Sequence, residues 1–261
     1  MSSLAVKPLR IRLFNRLMGV AAAIQRLPAK VTPPPFRLIQ MGSIFWQSRA
    51  LYTATRLGVA DALGDETREV ADIAAALALH EEHLYRLMRM LASLGIFEEV
   101  APRRFRNCKT SAFLRRDNPK SVRAMILMHN SPQMTAPWLE PLEDAMHDGS
   151  VPFERVHGVE LFDYMDRNRE FDLIFSQAMD AVEGLTGNLF LEDFNWGAFE
   201  RVIDVGGSKG SKVLAMLEAH PALQAVVFDR PQVIAAAPQY WAERASPDML
   251  SRVQFEGGDM F

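Results

Sequence analysis

Residues 200–223 read "ERVIDVGGSKGSKVLAMLEAHPAL", and the reading of this stretch decides the fold. Val202, Ile203 and Val205 form a β-branched run of the kind buried in a parallel sheet. Gly206, Gly207 and Gly210 follow at once, and a helical pattern resumes from Ser211 through Val213, Leu214 and Leu217. Strand, glycine turn and helix make the first unit of a doubly wound fold, in which glycines let the backbone approach a ligand at the strand's carboxyl end.

Downstream, "LQAVVFD" (223–229) predicts a second strand ending on Asp229, whose carboxylate can accept hydrogen bonds from both ribose hydroxyls. "DRPQVIAAAPQYWAERA" (229–245) predicts the next helix, with Pro231 near its start. "RVQFEGGDMF" (252–261) supplies a third strand that runs into Gly257, Gly258 and Asp259. A dinucleotide site usually asks for G-x-G-x-x-G, whereas this turn reads G-G-S-K-G, so a pyrophosphate on the helix N-terminus is disfavoured. Asp204, just before the turn, offers negative charge and suits a cationic, phosphate-free nucleoside such as S-adenosylmethionine.

Upstream, "VTPPPF" (31–36) breaks the chain, since consecutive prolines cannot continue a helix. In "RLIQMGSIFWQSRALYTATRLGVADAL" (37–63), Ile44, Leu51, Ala54 and Leu57 recur at helical period and Gly58 closes the run. This helix carries more apolar surface than one face can hide. Two further helices are expected at about Val70–Leu77 and Glu81–Leu94, followed by a hairpin in "GIFEEVAPRRFRNCK" (95–109). Helix, turn, helix and a two-stranded wing is a winged-helix pattern, which raises a DNA-binding regulator as a function class. Glu81 and Glu82 at the start of the second helix would repel phosphates, and Arg103, Arg104 and Arg106 of the wing read as a solvated face.

The composition agrees with a globular enzyme-sized chain. Of 261 residues 49% are hydrophobic, and a net charge of -3 gives no global attraction to nucleic acid or anionic lipid. Cys108 is the lone cysteine, which excludes an intrachain disulfide and implies a reduced, cytoplasmic setting. His129, His147 and His157 are too scattered to suggest a metal site. Arginines interrupt the N-terminal stretch, so it reads as an amphipathic arm with Leu9, Leu13, Leu17 and Val20 on one side, and no membrane span is expected.

With these residues in view, the chain from about 38 to 261 resembles the small-molecule O-methyltransferases of the plant caffeate, acetylserotonin and bacterial anthracycline type. The match is carried by "LYRLMRMLASLGIFEE", "PWLEPLEDAMHDGSVPFERVHGVELFDYMDRN", "FSQAMD", "VIDVGGSKGSKVLAMLEAHP", "VVFDRPQV" and "FEGGDMF". The resemblance implies a helical winged-helix dimerisation domain (1–115) that forms an intertwined homodimer without binding DNA. Acceptor-pocket helices and an incomplete Rossmann-like S-adenosylmethionine domain (116–261) are expected to follow it. The domain class is therefore mixed α and α/β.

Residue by residue, Gly206, Gly207 and Gly210 are implied beside the methionine part of S-adenosylmethionine, and Asp229 at its ribose. Asp204 and Arg230 belong to the same site, and Asp259, Met260 and Phe261 correspond to the adenine pocket. Phe175 and Met179 of the F-x-x-A-M helix, with Trp138, Met128 and His129, are implied to line the pocket for a small-molecule acceptor. Ser208 and Lys209 depart from the family's pattern, and Arg230 stands where leucine is usual. No residue here matches the family's His-Asp-Trp segment, whose histidine takes the acceptor's proton, so no catalytic residue is assigned. The resemblance thus predicts a truncated or split chain, inactive alone, to be completed by a C-terminal chain, or else a non-catalytic partner or scaffold. In the family's strand order, 3-2-1-4-5, strand one would have one open side, an aggregation template unless paired.

Overall fold

The structure is a computed structural model of the chain and describes residues 13, 16–20, 22–23, 32–188 and 190–259. Leu9, Met260 and Phe261, three of the residues singled out above, lie outside the described residues. Leu13, Leu17 and Val20 of the arm are helical and exposed. The chain divides into two compact units, one spanning 32–185 and the other holding the residues from 186 onward together with the N-terminal arm. The helices after residue 115 therefore group with the winged-helix segment, whereas the sequence drew its boundary at 115/116.

In the first unit, α1 (Pro34–Leu57) starts on prolines in its first turn, where their missing N–H groups have no intrahelical partner to lose. It ends at Gly58, whose φ of +77° closes the helix as expected. The C-terminal half of α1 buries Ala50, Tyr52 and Ala54, while Phe36, Leu38, Ile39, Met41, Ile44, Phe45 and Trp46 of its N-terminal half are exposed. The excess apolar surface anticipated from sequence is thus concentrated on one half of one helix. A short α2 (Val59–Leu63) leads to β1 (Arg68–Glu69) and α3 (Val70–Leu77), then to α4 (Glu81–Ser93). The wing follows as β2 (Phe97–Ala101) and β3 (Arg104–Asn107), giving an antiparallel sheet in the order β1-β3-β2.

The helices and wing close on Ile73, Leu84, Met88, Leu91, Phe97 and Phe105, all buried. Each such side chain contributes about 1.5–3 kcal/mol by leaving water. The wing arginines are engaged within the unit: Arg103 reaches Glu81 at 2.5 Å and Glu82 at 3.1 Å, Arg104 reaches Glu69, and Arg106 makes two bonds to Glu98 at 2.9 Å. The acids at the start of α4, weighed above with the wing as a nucleic-acid face, are partners of Arg103, while Arg104 and Arg106 pair with Glu69 and Glu98.

A 3-10 turn (Ser111–Leu114) then leads to α5 (Arg123–His129), α6 (Pro132–Thr135), α7 (Glu140–Asp148), α8 (Pro152–His157), α9 (Leu161–Arg167) and the longer α10 (Arg169–Thr186). Met128, Met165, Phe171 and Ala178 form a second buried cluster among them. Among the described residues no helix is long and apolar enough to cross a membrane.

The second unit contains α11 (Phe190–Asp193), β4 (Arg201–Val205), α12 (Ser211–Ala219), β5 (Gln224–Asp229), α13 (Pro231–Ile234), α14 (Ala237–Ala242), α15 (Pro247–Ser251) and β6 (Val253–Gly257). The three strands are parallel in the order β4-β5-β6, with Val205 opposite Phe228 and Asp229 opposite Gly257. This is the Rossmann-like start that the sequence predicts. The single helix expected over 229–245 is instead two short ones. Pro238 lacks the N–H that would reach back four residues to the Ile234 carbonyl, so the helix cannot run through. Pro247–Ser251, capped by the Ser246 hydroxyl, is a helix the sequence reading did not anticipate.

Candidate functional site

The register of the sheet brings the ends of β4, β5 and β6 to one edge, and with them Gly206, Asp229 and Gly258. The turn after β4 is sewn to β5: the Gly206 N–H donates to the Phe228 carbonyl at 2.8 Å and the Gly207 N–H to the same oxygen at 3.2 Å. Gly206 has φ of +75°, and a Cβ placed on it would meet nothing within 4 Å, so this turn leaves open room for a ligand to lie against the backbone. A Cβ on Gly207 would collide with the Asp204 carboxyl group at 2.9 Å, which shows how closely the turn covers that carboxylate. Gly210 serves the interior instead: with φ of +81° it lets α12 approach Val227 and Trp241, which a Cβ would meet at 2.8 and 3.0 Å.

Asp229 is 8% exposed and holds the site together. Its Oδ2 accepts from the Ser208 N–H at 2.7 Å and its Oδ1 from the Arg230 N–H at 2.7 Å, while its carbonyl accepts from the Gly258 N–H at 3.1 Å. An ionised carboxylate has about four lone-pair sites, so two of them are used by the backbone and two are left for ligand hydroxyls. One side chain therefore pins the glycine turn, holds the Arg230 N–H just ahead of α13 and keeps acceptor capacity. Ser208 adopts φ of +54°, a conformation that L residues other than glycine rarely take.

Trp241 was not singled out by the sequence reading. Its indole N–H donates to the Lys209 carbonyl at 2.8 Å, and the ring is fully buried against Phe255 at 5.5 Å between centroids. The turn is thus fixed from both sides, by Asp229 at Ser208 and by Trp241 at Lys209. Nothing in the local pattern around Trp241 marks it; the link spans 32 residues and exists only once α14 packs on the sheet.

Of the residues implied for the cofactor, Asp204, Gly206, Gly207, Gly210, Asp229 and Arg230 lie in or beside this turn, and Asp259, which is exposed, follows β6. The arrangement fits a nucleoside without phosphate: a bared backbone, two acidic side chains and open space above Gly206. The residues implied for the acceptor divide. Met128 is buried and Phe175 packs beside it in the second cluster of the first unit. Met179, one turn further along α10, is part exposed, and His129 and Trp138 are exposed, Trp138 by 68%. An aromatic series also lies there: Phe153, His157, Tyr164, Phe171 and Phe175, with consecutive ring centroids 4.4 to 6.4 Å apart. Of these only Phe175 was singled out by the sequence reading.

Family models divide the chain between residues 117 and 138, beside the boundary drawn from sequence, and the second of them runs across both compact units. A model of the O-methyltransferase dimerisation domain matches residues 39–117, and a model of the O-methyltransferase domain matches residues 138–261. The chain is 31% identical over 224 residues to phenazine O-methyltransferase PhzM of Lysobacter antibioticus, covering 86% of this chain and 64% of that protein. It is 32% identical to phenazine-1-carboxylate N-methyltransferase of Pseudomonas aeruginosa, again over 224 residues, covering 85% of this chain and 64% of the relative. Among solved structures, human N-acetylserotonin methyltransferase in complex with S-adenosylmethionine superposes with a TM-score of 0.72 at 26% identity, covering 88% of this chain and 67% of that one. The chain spans just under two thirds of the length of these curated relatives. Two adjoining family domains, a shared fold and the glycine turn with its paired acids lead to one conclusion: the chain belongs to the O-methyltransferase family, with its dimerisation domain followed by methyltransferase-domain sequence.

Proposed function

We propose that this chain binds S-adenosylmethionine and serves methyl transfer to a hydroxyl of an aromatic or polyketide-like small molecule. The observation that carries the reading is the meeting of Gly206, Asp229 and Gly258 at the ends of three adjacent parallel strands in a chain of this family. S-adenosylmethionine, when bound, supplies the electrophilic methyl group. Asp229 offers its two remaining lone-pair sites to the ribose hydroxyls, and because its other two hold backbone N–H groups, it meets the ligand already oriented. Asp204 adds negative charge beneath the turn, Gly206 and Gly207 admit the methionine part, and Asp259, Met260 and Phe261 take the adenine. Arg230 follows Asp229 in the same loop, and Gly210 keeps α12 close.

For the acceptor, Phe175, Met179, Met128, His129 and Trp138 supply an apolar, ring-rich surface that orients a flat molecule. Orientation of this kind accounts for much of the barrier reduction in a two-substrate reaction. No residue is assigned to proton removal, and a complementing chain that supplies this group is part of the proposal. A cytoplasmic homodimer, with the exposed half of α1 as its seam, completes the reading.

A titration with S-adenosylhomocysteine tests it: saturable binding by the folded chain, lost in Asp229→Ala, is expected, and heat signals indistinguishable from buffer would overturn it. Transfer of labelled methyl to a panel of hydroxylated aromatics, with and without the C-terminal third of a relative as a second chain, then tests the division of labour. A second reading, a non-catalytic partner in a heteromeric complex, is favoured by β4, where Ile203 and Val205 are 62% and 60% exposed. Stable capture of a second polypeptide by a chain that ignores S-adenosylhomocysteine would select it.

A further inference from the structure

Helix α5 separates two apolar clusters of the first unit. Met128 belongs to the cluster that also holds Met165 and Phe171, with Ala124 and Met125 packed against it, while Val122 and Ile126 pack against the winged-helix core. On the winged-helix side of α5 lies an apolar pocket of about 330 Å³, open to solvent on one side and bounded by Leu51, Ile96, Phe113, Ile126 and Leu185, with Thr110 as its one polar side chain. We propose that this cavity is a binding site for a small, uncharged, hydrocarbon-like molecule, separate from the acceptor residues.

Three observations carry the proposal. First, no charged side chain lines the pocket and Thr110 is its one polar side chain, so an apolar occupant gains by taking this surface, with the exposed sides of Phe113 and Leu185, out of water. Second, the volume lies within the range of small-molecule sites and is about twice that of an apolar cavity known to take up benzene, which sets the occupant at the size of a fused bicyclic ring or a short alkyl chain. Third, α5 stands between this cavity and the cluster that holds Met128 and Phe175, so the acceptor residues and the cavity occupy opposite sides of one helix. The occupant would touch α5 and α10, the two helices that carry Met128, His129, Phe175 and Met179.

The test uses p-xylene, which has no hydroxyl to act as an acceptor, and the full chain labelled at isoleucine methyl groups. Saturable shifts at Ile96 and Ile126, with Ile174 of the other cluster unmoved, are the expected result. Leu185→Trp places the larger ring in the cavity from a half-exposed position and should weaken p-xylene binding at least tenfold without unfolding the chain. Ile126→Trp should do the same where it folds, and Met179→Trp should leave the affinity unchanged. Shifts confined to Ile174, no shift up to the solubility of p-xylene, or affinity unaffected by Leu185→Trp would each overturn the proposal. So would contacts between Ile126 and a second subunit in a mixed-label dimer, since a partner's side chain would then be the occupant.

Discussion

Among the described residues there are two three-stranded sheets, and they are finished to different degrees. The antiparallel sheet of the wing is short and rimmed by charge: Arg103, Arg104 and Arg106 are each paired to a carboxylate of the same unit, and Phe105 on its inner side is fully buried. In the parallel sheet, β5 lies between two neighbours and buries Ala225, Val226 and Val227, whereas β4 pairs with β5 alone among the described residues and turns Ile203 and Val205 to solvent. Charged rims blunt a sheet edge, and an apolar face beside an open edge invites another strand. The wing is completed by its own residues. The parallel sheet is held by hydrogen bonds at its glycine turn and leaves apolar side chains exposed on its flank.

The largest effect that would break this contrast is removal of the indole that pins the turn. Trp241→Ala leaves a cavity in the smaller core and deletes the bond to the Lys209 carbonyl; we expect a loss of about 3–5 kcal/mol in denaturant unfolding of the second unit, with the wing unaffected. Equal destabilisation of both units would mean they are not independent. Asp229→Ala comes next. Two backbone N–H groups lose their acceptor, at about 1–3 kcal/mol each where they remain buried, and S-adenosylhomocysteine affinity should fall at least a hundredfold. Asp229→Asn, which keeps one carbonyl acceptor, should recover part of the stability and little of the affinity.

A smaller effect sharpens the view of Ser208. Ser208→Gly relieves an unfavourable backbone conformation, although glycine also gains freedom when unfolded, so a net stabilisation of roughly 0.5–1 kcal/mol is expected from thermal melts. A destabilisation would mean that the serine side chain holds the turn in a way its geometry does not suggest. On the flank, Ile203→Lys should change folding stability by less than about 0.5 kcal/mol, because the side chain it replaces is already in water, while slowing self-association measured by light scattering.

The smallest effect belongs to the wing. Bonds from Arg103 hold the Glu82 carboxyl below the usual carboxylate range, and bonds from Arg106 do the same for Glu98. A depressed folded-state pKa contributes stability that is present above the unfolded value and lost as pH falls through the folded one. Protection factors of the wing amides, which take out the intrinsic pH dependence of exchange, should therefore fall as pH drops from the ordinary carboxylate range through the depressed folded values. Both groups are solvent-exposed, so the change should be slight and should shrink further in salt.

What the sequence disclosed and what it hid follow from the range of the forces involved. The bounds of α3 and the start of α4 were legible because period and turn residues are local, and Asp229 and Gly257 at strand ends were legible because a β-branched run stops where the chain must turn. The break at Pro238 was also written locally and was passed over, because the apolar spacing of 229–245 suggested one continuous helix. The bond from Trp241 to Lys209, the pairing of Arg103 with Glu81 and Glu82, and the aromatic series from Phe153 to Phe175 join residues that only packing brings together. The double use of the Asp229 carboxylate was hidden for another reason: its residue type announces acceptor capacity but not which donors take it.

The indole buried behind the glycine turn also gives the protein a native optical probe. Of its four tryptophans, Trp138 is exposed to a soluble quencher, Trp46 lies on the half of α1 proposed as the dimer seam, Trp196 is half-buried, and Trp241 is fully enclosed and hydrogen-bonded to the turn itself. With Trp46, Trp138 and Trp196 replaced by phenylalanine, the emission left comes from that ring, so its intensity and wavelength can follow ligand arrival at the turn in real time, without any label being attached.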